Sequence, residues 1–423
     1  MKRLLTFTVL LTVLIGGAVF ATDTRVNTMG NVNTIVKDEA NVFMFPSTVN
    51  YYPKVFLAEV GERSYFYWDK QDEYDVYLNS VGAHFQLCQK SEAPWVVGAY
   101  FDTRSFMPSI AQYIDWWDEY SKDADEGSWS TDHRITALVG HEFNAMPVGF
   151  MLTYYNIGQK NEDDAVADHY EESFSRYEFS FGLSPMQKKL DIGFGAAFTT
   201  WKDKDYYDAA LGVIDNTKPK GNMDLFLNAR YWVDPMGKYT LVPHFGVMYS
   251  KQGAEVYGVE DDANVLENTY EIKDLVFDLG MGMNYDAAEN VLLVGDLGFN
   301  YDAYKTSNEP AGGTKVESKD TYLMLPYFRI GIDAYVFKWM NLRGGVVAQW
   351  TGEKYEPDAV SKMTWTWVET ETFLGAGFHW GNFVIDANID PDFLSRGPYF
   401  ITGSNDYNEY DISNKISLKY MFD

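Results

Sequence analysis

The sequence predicts an all-β protein, a transmembrane antiparallel up-and-down β-barrel, and three observations carry that expectation. The first is long alternation of apolar and polar residues. In 274–285, Leu275, Phe277, Leu279, Met281, Met283 and Tyr285 oppose Asp274, Asp278, Gly280, Gly282 and Asn284. Period two is the mark of a strand whose faces meet different solvents, and such runs exceed the ~5–6 residues of an ordinary globular strand. The second is the sorting of connections. Tight turns at 144–147, 184–187, 234–237, 286–290, 337–341 and 379–382 alternate with longer polar segments near 105–131, 159–171, 203–221, 253–269, 306–320, 355–362 and 392–408. A barrel with short periplasmic turns on one rim and long external loops on the other has this arrangement. The third is composition: 31 Tyr and 12 Trp lift aromatics to 17% of the chain, which suits rings placed at membrane interfaces.

The elements follow in order. Met1-Lys2-Arg3, the apolar run Leu4 to Phe20 and the small residues around Ala21 read as a secretory signal peptide over 1–21. A retained anchor is the alternative. No later stretch approaches the ~20 apolar residues of a spanning helix. The single cysteine, Cys88, excludes an internal disulfide framework. Residues 22–52 form an N-terminal segment, and 53–423 the barrel. Strands are expected near 94–104, 132–142, 147–157, 172–183, 188–202, 222–233, 238–251, 270–285, 290–304, 321–336, 340–354, 363–379, 382–391 and 409–422. That makes about fourteen, the preferred count; a further hairpin from 54–68 and 77–88 would make about sixteen, and both are even, as closure requires.

The last strand explains why closure matters. Tyr410, Ile412, Ile416, Leu418, Tyr420 and Phe422 form one face, with Lys415, Ser417 and Lys419 between them. It must pair with the first strand, because an unpaired backbone edge is not satisfied in lipid. Bacterial outer-membrane proteins resemble this closely: they end in such a strand, whose aromatic is read by the barrel assembly machinery. Here Asp423 follows Phe422.

Met29-Gly30, Asp38-Glu39-Ala40 and Pro46-Ser47 stand ahead of the first strand. This stretch resembles the N-terminal segment of FadL-type barrels, the long-chain fatty-acid transport family, in which a Met-Gly pair, an acidic-Ala stretch and Asn-Pro-Ala occur. Phe45 replaces the Asn and Asn31 a second Gly. The resemblance implies that residues 22–52 fold inside the barrel as a hatch. A periplasmic tail on the rim is the other reading.

Functional residues are then sought on the inward faces. Arg176, Glu178, Asp224, Arg230, Asp278 and Asp296 are the expected lumen-lining residues, with Phe226, Trp232, Trp365 and Trp367 on the same faces. Charges of both signs imply a wet interior, and the aromatics would line a route for an apolar solute or fill space behind the hatch. A substitution at outward Leu279 should cost stability, whereas Gly280→Ser on the lumen face should cost little. The acidic segments 115–126, 159–171 and 253–269 lack the spacing of a calcium loop, so they read as solvated faces, with divalent-cation binding the alternative, and no metal site is assigned. The six histidines, His84, His133, His141, His169, His244 and His379, include no pair with metal spacing. No serine nucleophile elbow occurs, and neither an enzyme nor a cofactor is expected. The formal charge of −27 argues against nucleic acid. The expected partners are outer-membrane lipid and lipopolysaccharide, the assembly machinery and a small apolar solute. The expected role is passive uptake of small, partly apolar molecules across the outer membrane. The alternative is a non-conducting barrel serving as a structural, surface-binding or assembly component.

Overall fold

The computed structural model describes residues 23–64, 75–87, 94–103, 133–161, 169–206, 215–235, 237–260, 263–357, 362–389 and 415–422. The signal segment, Cys88, Tyr410, Ile412 and the acidic positions of 115–126 and 162–168 lie outside the described residues. Seventeen strand segments form one antiparallel sheet: β1 Val55–Ser64, β2 Asp75–Leu87, β3 Trp95–Thr103, β4 His133–Phe143, β5 Met146–Asn161, β6 His169–Leu183, β7 Leu190–Tyr206, β8 Asp215–Pro219, β9 Met223–Tyr231, β10 Tyr239–Glu260, β11 Ala263–Ala288, β12 Val291–Pro310, β13 Val316–Phe337, β14 Met340–Pro357, β15 Met363–Trp380, β16 Phe383–Ile389 and β17 Lys415–Met421. Segments β8 and β9 share one place between β7 and β10. The wall therefore has sixteen strands, and β1–β17 pairing from Val55↔Met421 to Gly61↔Lys415 closes it.

Two expectations are corrected here. The preferred count of fourteen omitted the β1–β2 hairpin, which is part of the wall. Its alternation was obscured by Glu59, an acid that points inward at 3% exposure and is held by Thr24 and Lys415. The segments 253–269 and 306–320, read as loops, are mostly ladder: β10 pairs with β11 out to Glu260↔Ala263, and β12 with β13 out to Asn308↔Val316. Beyond the apolar band both faces are polar, so a strand continues there without an apolar periodicity to reveal it.

The two faces differ as the alternation demands. Phe194, Leu279, Met281, Leu297 and Ile330 are exposed on the outside, while Asp191, Asp224, Arg230 and Asp296 are buried within. On β11 the apolar run from Leu275 to Tyr285 covers ~10 steps of about 3.4 Å. At a tilt of roughly 40° it spans about 25 Å, the height of a bilayer-facing apolar band. Aromatics collect at its short-turn edge: Tyr239 stacks on Tyr285 at 4.5 Å, Phe337 on Trp339 at 5.5 Å, and Trp380 is 75% exposed. Mid-wall, the β13 ladders shift register around Leu325–Pro326 against both β12 and β14. Proline has no backbone donor and is tolerated in a sheet at such a bulge.

Parity held, yet one inference from it did not. Gly280 faces inward, but a Cβ there would meet the imidazole of His244 and the hydroxyl of Tyr327, so Gly280→Ser is not tolerated cheaply. Met248, which faces open space inside the barrel, is the better inward control. Leu279→Arg should cost about 2–4 kcal/mol in folding from denaturant into bilayers, and Met248→Thr less than about 1 kcal/mol. Equal losses would show that Leu279 does not meet hydrocarbon.

Candidate functional site within the barrel

The N-terminal segment folds locally before it meets the wall. A short helix α1, Asp23–Asn27, precedes a tight turn in which Gly30 and Asn31 adopt positive φ of 87° and 57°. Such angles suit Gly and Asn. A 3₁₀ turn, Glu39–Phe43, starts at a capping box: Asp38 Oδ1 accepts from the Ala40 amide, and Asn41 Oδ1 from the Asp38 amide, both at 3.1 Å. A second, Pro46–Tyr51, has proline at its first turn, where no donor is needed. Val26, Met29, Val32, Ile35, Val42, Phe45 and Val49 are all almost completely buried.

What buries them is the inner wall near the short turns. Thr28 lies on Gly375 of β15, Met29 and Gly30 on Gly331 of β13 and Gly345 of β14, and Ile35 on Gly282 of β11. Met44 then lies on Gly193 of β7, Pro46 and Ser47 on Gly149 and Gly182 of β5 and β6, and Val49 and Asn50 on Gly140 of β4. Tyr52 finally brings its carbonyl to 3.0 Å from His84 Nδ1 on β2. The segment thus makes a circuit of the wall. At every one of these glycines a Cβ would overlap segment atoms, so the absent side chains form the track it occupies.

Arg230 is the hub. It is 1% exposed; its Nε donates to Asp191 Oδ2 at 2.9 Å, and Nη1 donates to the carbonyls of Thr34 at 3.0 Å and Asn33 at 3.2 Å. Nη2 donates to Asn41 Oδ1 at 2.7 Å, and the guanidinium lies over Phe45 and Trp232. The fork geometry of arginine allows this multiple capture. Trp232 in turn donates Nε1–H to Asp191 at 3.0 Å, so it fills space behind the segment. Other ties cross the interior: Arg25 to Asp38 at 2.8 Å, Lys419 to Glu39 at 2.5 Å, Thr24 to Glu59 at 3.0 Å and Asn284 to the Ile35 carbonyl at 2.8 Å. Burial and the neighbouring Glu39 push the Asp38 carboxyl above its usual range, against the pull of Arg25 and Lys419. Burial lowers the Lys37 ammonium, which lies over the Trp232 ring at 4.7 Å.

Over the segment is an open cavity of about 460 Å³, lined by Phe43 and Met44 from the segment and by Phe226, Met248 and Val276 from the wall, with Arg134 and Asp278 as charged points. Beyond it, Arg176 pairs with Asp224, which also accepts from Ser250 at 2.5 Å, and Glu178 stands 3.9 Å from Arg176. Asp278 and Asp296 flank His244: Nδ1 is 3.2 Å from Asp278 and Nε2 is 2.9 Å from Asp296. The Nε2–Asp296 contact is a hydrogen bond, and the Nδ1–Asp278 contact is a close approach without hydrogen-bond geometry. Tyr155, Phe174, Trp201 and Tyr270 form a buried cluster further toward the long hairpins, and Trp367 donates to Glu369 at 2.7 Å there.

The six expected residues therefore sort into three groups: Arg176, Glu178 and Asp224 above the cavity, Asp278 and Asp296 beside it around His244, and Arg230 beneath it in the hub. Sequence reading gave His244 no role beyond the absence of metal spacing, and passed over the buried Arg343, which lies 3.3 Å from Asp333 and 2.6 Å from Asp386. It also missed the glycine track, although glycines recurring on inward parity were the available signal.

No protein-family model and no curated protein matches the chain. Solved structures similar to it include the alcaligin outer membrane receptor FauA from Bordetella pertussis, with 8% identity, 87% of this chain and 75% of that one covered, and a TM-score of 0.38. The ferric yersiniabactin uptake receptor FyuA from Yersinia pestis matches at 8% identity over 88% of this chain and 80% of that one, TM-score 0.34. CdiB from Acinetobacter baumannii matches at 9% identity over 88% and 60%, TM-score 0.37. The resemblance to FadL-type barrels rests on the N-terminal residues quoted for it. Fold and interior together define a closed sixteen-stranded barrel of the outer-membrane type.

The glycine track yields a prediction. In the double variant Gly149→Val and Gly193→Val the new side chains collide with Pro46 and Met44 backbone atoms, while the wall ladders are unchanged. Limited proteolysis of the folded variant should cut within residues 23–52, where the wild type resists. Equal resistance would show that the segment does not depend on the track.

Proposed function

We propose that the barrel lies in an outer membrane, reached by way of a cleaved signal peptide, and passes small, partly apolar molecules, with residues 23–52 as the hatch. The carrying observation is the cavity, with its apolar walls of Phe226, Met248 and Val276 and its charged points Arg134 and Asp278, standing directly on the segment. Apolar walls with a few fixed polar groups are the usual character of a small-molecule site. Movement is diffusive, through the hairpin end, into the cavity and past a displaced hatch, with no covalent step or cofactor. A sixteen-stranded barrel is wide enough for water unless something fills it, and here the segment does. A second reading, a non-conducting surface or assembly component, draws support from the depth at which Arg230 holds that segment.

Planar-bilayer recordings separate the two. Wild type should be nearly closed, and the Gly149→Val and Gly193→Val double variant should conduct with cations preferred, because inward carboxylates such as Asp278 line the route. Near-zero current from a folded variant with its segment released would favour the non-conducting reading.

Orientation is tested on cells. Epitope tags inserted at 261–262, in sequence between β10 and β11, should be labelled on intact cells, and tags at 235–236 only after permeabilisation. Labelling at 235–236 alone would invert the topology.

A further inference from the structure

The outer face carries a second feature, just above the apolar belt at the long-hairpin end. Lys251, Lys273, Lys305 and Lys319 stand directly opposite one another across β10, β11, β12 and β13: Lys251↔Lys273, Lys273↔Lys305 and Lys305↔Lys319. Their parity is that of Tyr249, Leu275, Ala303 and Leu323, so they share the outward face and occupy its first charged level. Neighbouring strands are ~4.8 Å apart, and like charges directly opposite are destabilising. Four in a row, in a chain of net charge −27, is an arrangement that folding alone does not favour.

The acids around the row do not neutralise it. Glu271 is shared between Lys251 at 3.0 Å and Lys273 at 2.5 Å, and Glu317 between Lys305 at 2.6 Å and Lys315 at 2.9 Å. On the next strand Glu356 is shared between Lys354 at 3.1 Å and Lys362. Each carboxylate has two ammonium groups, which leaves a positive charge at each triplet. Lys319 stands opposite Glu356 in the β13–β14 ladder, the acid already shared between Lys354 and Lys362. A groove of about 170 Å³ opens beside the row, where Lys220, Lys251 and Lys315 meet Glu271 and Glu309. The side chains of Lys251, Lys273 and Lys305 are 38–42% exposed, so their stems lie on the wall and their heads reach outward.

We propose that this row docks the phosphate groups of a phosphorylated glycolipid in the outer leaflet, with its acyl chains on the belt below. A phosphate monoester brings a charge of about −1.5 to −2 and three acceptor oxygens, and lysine serves phosphate as a mobile point charge. The height is decisive: the row stands where hydrocarbon ends, with Tyr249, Leu275, Tyr301 and Leu323 beneath it for the chains. This inference rests on the membrane placement of the barrel and on nothing about its lumen.

The test uses the full-length folded protein in non-ionic detergent, with diphosphorylated lipid A, fully dephosphorylated lipid A and inorganic phosphate as probes, read by native mass spectrometry. The variant is Lys273→Gln with Lys305→Gln and Lys319→Gln; the controls are the corresponding triple arginine variant and Lys238→Gln at the short-turn rim. The glutamine variant should bind diphosphorylated lipid A at least about tenfold more weakly, the arginine variant and Lys238→Gln as wild type, and the dephosphorylated lipid weakly in every case. Binding should persist in EDTA and resist millimolar inorganic phosphate. Undiminished binding by the glutamine variant overturns the proposal. So does loss of binding in EDTA, which assigns it to a cation bridge, or full competition by phosphate, which assigns the site to a free anion. Insertion into zwitterionic vesicles is measured alongside: failure to insert overturns the membrane placement itself, whereas insertion with unaltered lipid A binding in the glutamine variant overturns the docking row alone.

Discussion

Everything in this molecule depends on closure of the sheet at the β1–β17 seam. In hydrocarbon no water is available to a bare N–H or C=O, so each strand edge must find another strand. Seven registered residue pairs, Val55↔Met421 through Gly61↔Lys415, remove the last two edges. The seam also decides where the N-terminal segment goes. β1 begins and β17 ends at the short-turn rim, so residues 23–54 emerge at the mouth of the lumen. From there the inner wall is the nearest surface able to bury Met29, Ile35 and Phe45.

Burying that segment inverts the usual economy of a folded domain. The apolar face of the wall is turned outward, and the interior must be built from polar groups that satisfy one another. Ion pairs such as Arg230–Asp191 and Arg343–Asp386 are almost fully enclosed. Such pairs contribute little net stability when intact, but removing one partner strands the other at about 3–5 kcal/mol. Their effect here is positional. Arg230 takes the carbonyls of Asn33 and Thr34 only where the segment stands in one place, and Glu39 reaches Lys419 from that place alone. Charge sets the register of the segment, and glycine provides its room.

How far this could be read from the sequence follows from the same physics. β6, β7, β9 and β11 were legible because hydrocarbon on one side and water on the other impose period two; Phe194, Leu279 and Arg230 fell on their correct faces from that rule alone. The β1–β2 hairpin stood only as the alternative count, because the inward Glu59 interrupts the apolar face of β1, and its partners Thr24 and Lys415 include one more than 350 positions away. The distal halves of β10 to β13 were read as loops because two wet faces erase the period. Met29-Gly30 and Pro46-Ser47 were noticed as a family-like pattern, but their role is contact: they touch Gly331, Gly345, Gly149 and Gly182. A glycine's neighbour is invisible in a sequence, since the missing side chain leaves no chemical trace of what replaces it.

The anchoring also constrains how a hatch of this kind could open. Each buried polar group left unpaired costs about 1–3 kcal/mol, and withdrawal of the whole segment would take away the segment partners of the Arg230 Nη groups, the Lys419 ammonium and the Asn284 amide together. Wholesale release is therefore rare without an agent that favours the open state. A ligand shifts such an equilibrium only by its difference in affinity for the two states. The cavity has the geometry for that coupling, because its floor is Phe43 and Met44 of the segment while its wall is Phe226 and Met248 of the barrel. A solute that touches both surfaces is sensitive to their separation. Phe43 and Met44 lie between Asn41 and Phe45, both held by Arg230, and Met44 rests on Gly193, so under the proposed function a solute that shifts this floor acts directly on the hub that anchors the segment.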